Sequence, residues 1–309
     1  MQHKDARARF DYENQGRLTG DLARASWLID QTAWAVCPLI PIPDPQREQE
    51  IQQAEATWTA TQAEHATREW LQSSPHGFRA QHHPYATFTS TVEGLINSYV
   101  QRSPGVANVR NTWYHVKDVS RVMQKPHCHV GEEMQGTWII IELPNPQNSV
   151  EHTLELMQRA HERGQRVAVD LTYLPVSSQT IEVDLSRADE VWVSMNKAYR
   201  TGDLRPAWRF SREAVPDGLT LAHVRGTYNR TSMRAWRHIV ENNTMDSVVR
   251  RHGDTYRRVC DRFDLTETNN ILAARKPGVV WEPMYTPNWN YNDLIGTHNL
   301  IAEAGKHFW

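Results

Sequence analysis

The sequence predicts an α/β fold, a mainly parallel sheet sandwiched by helices, and three observations carry that prediction. From about residue 84 onward, short apolar runs alternate with helical stretches, the pattern that lays strands in one sheet and helices on its faces. One strand–helix–strand unit is legible in full: TWIIIEL (137–143), SVEHTLELMQRAHERG (149–164) and RVAVD (166–170). Its middle stretch opens at Ser149, a capping residue, repeats apolar residues at helical spacing and stops at Gly164. At 309 residues and 39% hydrophobic composition, the chain is long enough for one large domain or two.

Taken in order, residues 1–80 read as a helical arm. A short segment leads into the proline-rich CPLIPIPDPQ, and a helix is expected over 46–72, where Ile51, Ala54, Trp58 and Trp70 fall at roughly helical spacing. Such an arm packs on the body or on a second subunit. Residues 81–235 form the main domain, with strands VANVR (106–110), TWIIIEL, RVAVD and EVWVSM (190–195), and residues 236–309 form a smaller closing unit. Ligands bind beyond the carboxyl ends of strands in open α/β sheets, so Asp170 and Lys197 are expected to face one site.

Composition narrows the function classes. Thirty-four Lys+Arg against 36 Asp+Glu give a net charge of −2, which excludes a wholly basic nucleic-acid-coating protein. A mean hydropathy of −0.66 without a long apolar run predicts no membrane span, and an N-terminus lacking an apolar core predicts a cytoplasmic protein. Cys37, Cys128 and Cys260 are odd in number and widely spaced, as expected of reduced, packed thiols. The charge is uneven: residues 197–262 carry 14 Lys+Arg against 7 Asp+Glu, a local excess that suits a polyanionic partner.

Lysine is scarce, six residues against 28 arginines, so each one merits inspection. Lys197 directly follows an apolar strand, where partial desolvation favours the neutral amine and hence a nucleophile able to form a Schiff base. Asp170 ends an apolar strand and needs a cationic partner to stay ionised there, a role that a protonated pyridine nitrogen fills.

In order and spacing, DLTY (170–173), SMNK (194–197) and Arg205 resemble the fold-type-I pyridoxal-phosphate (PLP) superfamily, in particular its class I/II aminotransferase branch, over residues 85–210. The resemblance implies that Asp170 pairs with the pyridinium, Tyr173 hydrogen-bonds the cofactor's phenolic oxygen, Lys197 holds the Schiff base, and Ser194 with Arg205 binds the phosphate. PNPQN (144–148) is similar to the family's Asn-Pro-x-Asn-Pro loop. It makes Asn148 a second partner of the phenolic oxygen, with Asn145 the alternative because Ser149 replaces the usual second proline. NTWYH (111–115) resembles the segment whose ring stacks on the pyridine, naming Trp113 with Tyr114 in reserve. TFTSTVEGL (87–95) resembles the loop in which Ser90 and Thr91 cradle phosphate at a helix N-terminus, although the loop's usual glycine is missing. The same resemblance implies a reduced C-terminal α+β small domain and a homodimer with the arm as a plausible contact.

The superfamily spans aminotransferases, decarboxylases, lyases and racemases, so the cofactor pocket alone does not select the reaction. The branch's arginine for the substrate α-carboxylate has no counterpart after Arg275. An unclamped carboxylate favours decarboxylation. Arg275 as the clamp, beside Tyr114, leaves transamination of a small amino acid or amino sugar open. A looser resemblance, resting on shortness and that missing arginine, is to compact bacteriophage PLP decarboxylases of thymine hypermodification; it implies an amino acid carried on modified DNA. An inactive PLP-fold binding protein is the reading from another class, disfavoured by the full set of cofactor residues. KPHCHV, with His127, Cys128 and His129, reads as a surface turn rather than a metal site, and no metal is expected. His82 and His83 read as loop residues, and SVVRRHGDTYRRVCDR (247–262) as a solvated basic face.

Overall fold

Runs such as WIII (138–141) and VWV (191–193), apolar at successive positions, require a sheet covered on both sides. The computed structural model describes residues 59–76, 82–109, 115–131, 136–145, 148–182, 184–199, 205–262, 264–275 and 294–296. Seven strands form the main sheet: β1 (Tyr85–Thr89), β2 (Val106–Asn108), β3 (His127–His129), β4 (Trp138–Glu142), β5 (Val167–Asp170), β6 (Glu190–Ser194) and β7 (Ala207–Ser211). Their order is β1-β7-β6-β5-β4-β2-β3, parallel from β6 through β3, with β7 antiparallel to both of its neighbours. The α/β, mainly parallel class read from the sequence is the one observed.

The period-two alternation divides the side chains between two cores. Ile139, Ile141, Val167, Val169, Val191 and Val193 pack on one face, while Ile140, Ala168 and Trp192 pack on the other. The second face is covered by α2 (Val92–Arg102) and α3 (His115–Val122) through Leu95, Ile96, Tyr99 and Val116. The first face takes α1 (Ala60–Gln72) and α4 (Val150–Glu162), and with them α7 (Arg230–Asn242) and α8 (Ser247–Arg262) of the C-terminal half. Two shorter helices, α5 (Asn196–Tyr199) and α6 (Gly218–Val224), complete the set among the described residues. The predicted helix between the two central strands is α4, capped by the Ser149 hydroxyl on the His152 N–H at 3.1 Å and followed by Gly164 at φ +67°. A small antiparallel sheet joins β8 (Thr266–Glu267), β9 (Ala273–Arg275) and β10 (Leu294–Gly296).

The arm sequence packs on the body where it is described. Thr67, Trp70 and Leu71 of α1 are buried, the Trp70 indole donates to the Asn243 carbonyl at 2.6 Å, and the Trp236 indole donates to Thr67 Oγ1 at 2.7 Å. Ile51, Ala54 and Trp58 lie outside the described residues. Because Trp236 is buried and its N–H is satisfied, Trp236→Ala is expected to cost about 3–5 kcal/mol of stability, read as a lower urea midpoint.

Three strands of the main sheet, and the three of the small one, were not predicted. β3 is the His-Cys-His segment read as a surface turn; three residues are too few to show a period, and it lies instead at the sheet edge beside β2. β1 was missed because its Thr87–Thr89 end was read as part of the phosphate loop, and β7 because it carries a charge at its centre: Arg209 is 0% exposed. Its two Nη atoms donate to Asp217 (2.6 and 3.1 Å), Thr220 (2.7 Å) and Thr87 (3.3 Å), while Nε has no hydrogen-bond partner among the described residues. Burial opposes the charge of Asp217, but hydrogen bonds from Arg209 and Ser98 outweigh it and hold that carboxyl well below the usual range.

Candidate active site

Sheet register gathers the predicted residues at one end. Thr89 pairs with Ala207 and Ala207 with Ser194, while Glu142 pairs with Asp170 and Asp170 with Trp192. The segments that leave these strand ends carry Ser90 and Thr91, Arg205, Lys197, Tyr173 and Asn145. This is the carboxyl end of the parallel strands, where helix dipoles and free backbone groups favour ligands.

Asp170 closes β5 and is 5% exposed. One of its oxygens accepts from the Thr172 amide at 2.9 Å and from the Thr172 hydroxyl at 2.5 Å. Burial pushes its pKa from 3.8 to about 6 against the pull of those two bonds; Glu93 adds to the rise and Lys197 opposes it. No salt bridge neutralises Asp170 among the described residues, so the site holds a carboxyl poised for a cation. Lys197 sits in the short helix directly after β6, its side chain reaching solvent. Desolvation of its amine, followed by the nearby Arg205 charge, lowers its pKa, against the opposing fields of Glu93, Glu142 and Asp170. Tyr173 follows Thr172, half-buried at the start of a 3-10 turn.

The anion end is more occupied than the sequence suggests. Ser194 is fully buried, and its hydroxyl donates to the Pro206 carbonyl at 3.1 Å. Thr91 caps α2, its Oγ1 accepting from the Gly94 N–H at 3.0 Å, and Ser90 precedes it half-buried. Arg205 makes an ion pair with Glu93, Nη1 to Oε1 at 2.6 Å.

Behind Tyr173, a C-terminal segment clamps two loops at once. The Asn269 side chain, 8% exposed, donates through Nδ2 to the carbonyls of Asn145 (2.9 Å) and Asn148 (3.0 Å). Its neighbours bind the stretch after Tyr173: Ser178 N–H donates to the Asn269 carbonyl and Ile271 N–H to the Val176 carbonyl, both at 3.0 Å. Asn145 is buried and Asn148 half-buried, and both stand on the turn that Asn269 holds. Asn269→Ala is expected to cost about 1–3 kcal/mol and to weaken ligand binding more than Asn269→Gln does; unfolding curves and ligand titrations of the two variants separate these effects.

Trp113 and Tyr114 lie outside the described residues, and of Arg275 only its place at the end of β9 is described. Glu93, Glu142, Thr172 and Asn269 were not singled out from the sequence. Thr172 lies inside the DLTY motif and was open to notice as a short polar neighbour of a strand-end acid. Asn269 had no local signal, since its contacts lie 124 and 121 residues away.

Other candidates separate from this site. His83 is buried, its Nε2 is 3.0 Å from the Ala188 carbonyl, and burial lowers its pKa to about 4. Ala188 precedes β6, so His83 stands at the opposite end of the sheet from Lys197. His127 meets Asn108 Oδ1 at 2.7 Å and the His129 ring at 5.7 Å, and burial lowers its pKa to about 4. Among the described residues no group of three or more His, Cys, Asp or Glu converges as a metal site, and no helix is long and apolar enough to cross a membrane. Cys260 is buried, and burial raises its thiol pKa to about 11, as suits a packing residue. On α8, Arg250, Arg251, Arg257, Arg258 and Arg262 are exposed.

No family model matches the chain, and no curated protein does. Solved structures do match in fold. A PLP-bound C-S lyase from Staphylococcus hominis superposes with a TM-score of 0.56 at 13% identity, over 69% of this chain and 66% of that one. An aspartate aminotransferase from Rhizobium meliloti matches with a TM-score of 0.57 at 13% identity, over 85% of this chain and 80% of that one. An aminotransferase from Escherichia coli gives 0.57 at 12%, over 82% and 78%. The chain thus spans about two thirds of the lyase's length, and the likeness is one of fold.

Proposed function

We propose that the chain is a PLP-dependent enzyme acting on an amino-acid-type amine. The observation that carries this reading is a pair of opposed groups at adjoining strand ends: Asp170, buried without a salt bridge among the described residues, and Lys197, whose amine is pushed toward its neutral form. The residues fit the cofactor. Asp170 suits the ring nitrogen, Lys197 the carbonyl carbon, Tyr173 with Asn145 or Asn148 the phenolic oxygen, and Arg205 with Ser194, Ser90 and Thr91 the phosphate. PLP, when bound, supplies a protonated ring that accepts the electrons of a bond breaking at the substrate's Cα.

The chain's own residues do the rest. Asp170 keeps the ring nitrogen protonated, held in place by Thr172. Lys197 would hold the cofactor's carbonyl carbon in the absence of substrate, and its amine would carry the proton at Cα or at that carbon. Tyr173 and the asparagine turn, clamped by Asn269, orient the ring plane.

For the reaction we favour decarboxylation. Among the described residues, Arg205 is the arginine whose charge acts on Lys197, and it is paired with Glu93. This supports a substrate whose carboxylate is left unclamped. Transamination is the second reading, favoured by the aminotransferases among the fold neighbours. The exposed arginines of α8 support a substrate carried on DNA. The test is a PLP titration followed by product analysis. A visible band and carbon dioxide release are expected; pyridoxamine phosphate formation selects transamination, and no band rejects the cofactor. DNA binding that falls steeply between about 50 and 200 mM salt is expected if the substrate is DNA-borne.

A further inference from the structure

Arg205 meets an anion of the chain's own making. Glu93 lies in the first turn of the eleven-residue α2, immediately past the Thr91 cap, where a negative charge is favoured by the helix dipole. Its Oε1 takes the Arg205 Nη1 at 2.6 Å, a charge-assisted bond at the short end of the range. Its Oε2 is buried with no hydrogen-bond partner among the described residues. Glu93 is 20% and Arg205 43% exposed at the side chain, so the pair sits at the rim of the site with the acid on the inner side. Register confirms that both belong to this end of the sheet: α2 follows Thr89, Arg205 precedes Ala207, and Thr89 and Ala207 are paired. A carboxylate therefore stands at the helix terminus and on the arginine to which the proposed reading assigns a phosphate.

We propose that Glu93 is a built-in competitor for Arg205, which a ligand phosphate must displace or crowd, and that it thereby sets the preference of the site for phosphate-bearing over phosphate-free ligand. This rests on the cofactor reading above. The physical argument is one of exchange. In the ligand-free protein, Glu93 keeps the guanidinium paired. When a phosphate arrives, the gain from Arg205 is reduced by the bond given up to Glu93, and a carboxylate that stays in place repels the incoming charge. A neutral side chain at position 93 removes both costs. Pyridoxal, which carries no phosphate, does not enter this exchange.

The experiment compares the full-length protein with Glu93→Gln, titrating each with PLP and with pyridoxal and reading the visible absorbance of the bound ligand. The expected result is a gain in PLP affinity about ten-fold larger than any change in pyridoxal affinity, the size expected for removing one partly solvated like charge. Pyridoxal reports the loss of the Glu93 field on Asp170 and Lys197, which both ligands share, so an equal change for both ligands overturns the competitor role. A pyridoxal band in the variant certifies its fold, and Glu93→Ala repeats the test with a second side chain. Equal or weaker PLP binding in both variants, with bands still formed, overturns the competitor role alone. Absence of any band with either ligand in the unmodified protein overturns the cofactor reading, and this inference with it.

Discussion

Lys197→Ala abolishes borohydride-stable attachment of PLP and leaves the fold in place. Both halves of this expectation come from where the residue stands. Desolvation of its amine, helped by the Arg205 charge, outweighs the opposing fields of Glu93, Glu142 and Asp170, so the neutral nucleophile is populated at lower pH than for a free lysine. Its side chain reaches solvent and belongs to no core cluster, so truncation opens no cavity and the unfolding free energy is expected to stay within about 0.5 kcal/mol. The measurement is the intact mass after PLP and borohydride, with peptide mapping of the attachment point. The other lysines of the described region are not substitutes: Lys125 donates to the Ser103 carbonyl at 2.8 Å, and Lys117 lies on α3. A pyridoxyl group retained at full stoichiometry in Lys197→Ala would remove the lysine from the mechanism.

Asp170→Asn is expected to stabilise the ligand-free protein and to disable the loaded one. A carboxyl whose pKa rises from 3.8 unfolded to about 6 folded binds its proton more tightly in the native state. Its contribution therefore favours folding at low pH and is lost as pH rises from about 4 through 6, reaching a cost of at most about 3 kcal/mol at pH 7. The amide carries no charge, and its oxygen can still accept the two Thr172 bonds. Urea unfolding without ligand should thus show a gain of about 1–3 kcal/mol at pH 7 and a flatter pH dependence between 4 and 6. With PLP the sign reverses, because a ring nitrogen kept protonated by a carboxylate has no such partner in an amide. Turnover is expected to fall roughly 10²-fold or more. An Asn variant that matches the unmodified protein in both respects would place Asp170 outside the chemistry.

The central strands were legible because both of their faces are buried, so β4, β5 and β6 read as uninterrupted apolar runs whose ends mark where polar chemistry begins. Asp170, Ser194 and Lys197 were found through those ends. β7 escaped the same reading because Arg209 interrupts its apolar run, and the partners that make its burial tolerable, Asp217, Thr220 and Thr87, are a tertiary fact. β3 was too short to carry a period. Glu93 was visible only as an acid in a helix first turn, a position where acids are ordinary; its meaning depends on Arg205, 112 residues away. Asn269 lies in a stretch without periodicity, and its importance appears only when residues 145–148 are folded beside it.

The antiparallel return of β7 determines what the spacing between Lys197 and Arg205 means. Ser194 and Ala207 are cross-strand partners, tied again by the Ser194 hydroxyl on Pro206, so the chain leaving one and entering the other begins and ends at a fixed point. Lys197 lies three residues beyond the first anchor and Arg205 two before the second. The separation of amine from guanidinium is therefore a dimension of the sheet rather than of the peptide joining them. Homologues in which that interval is longer or shorter by several residues can hold the same two charges at the same two places, and a search for them that insists on the interval will pass them by.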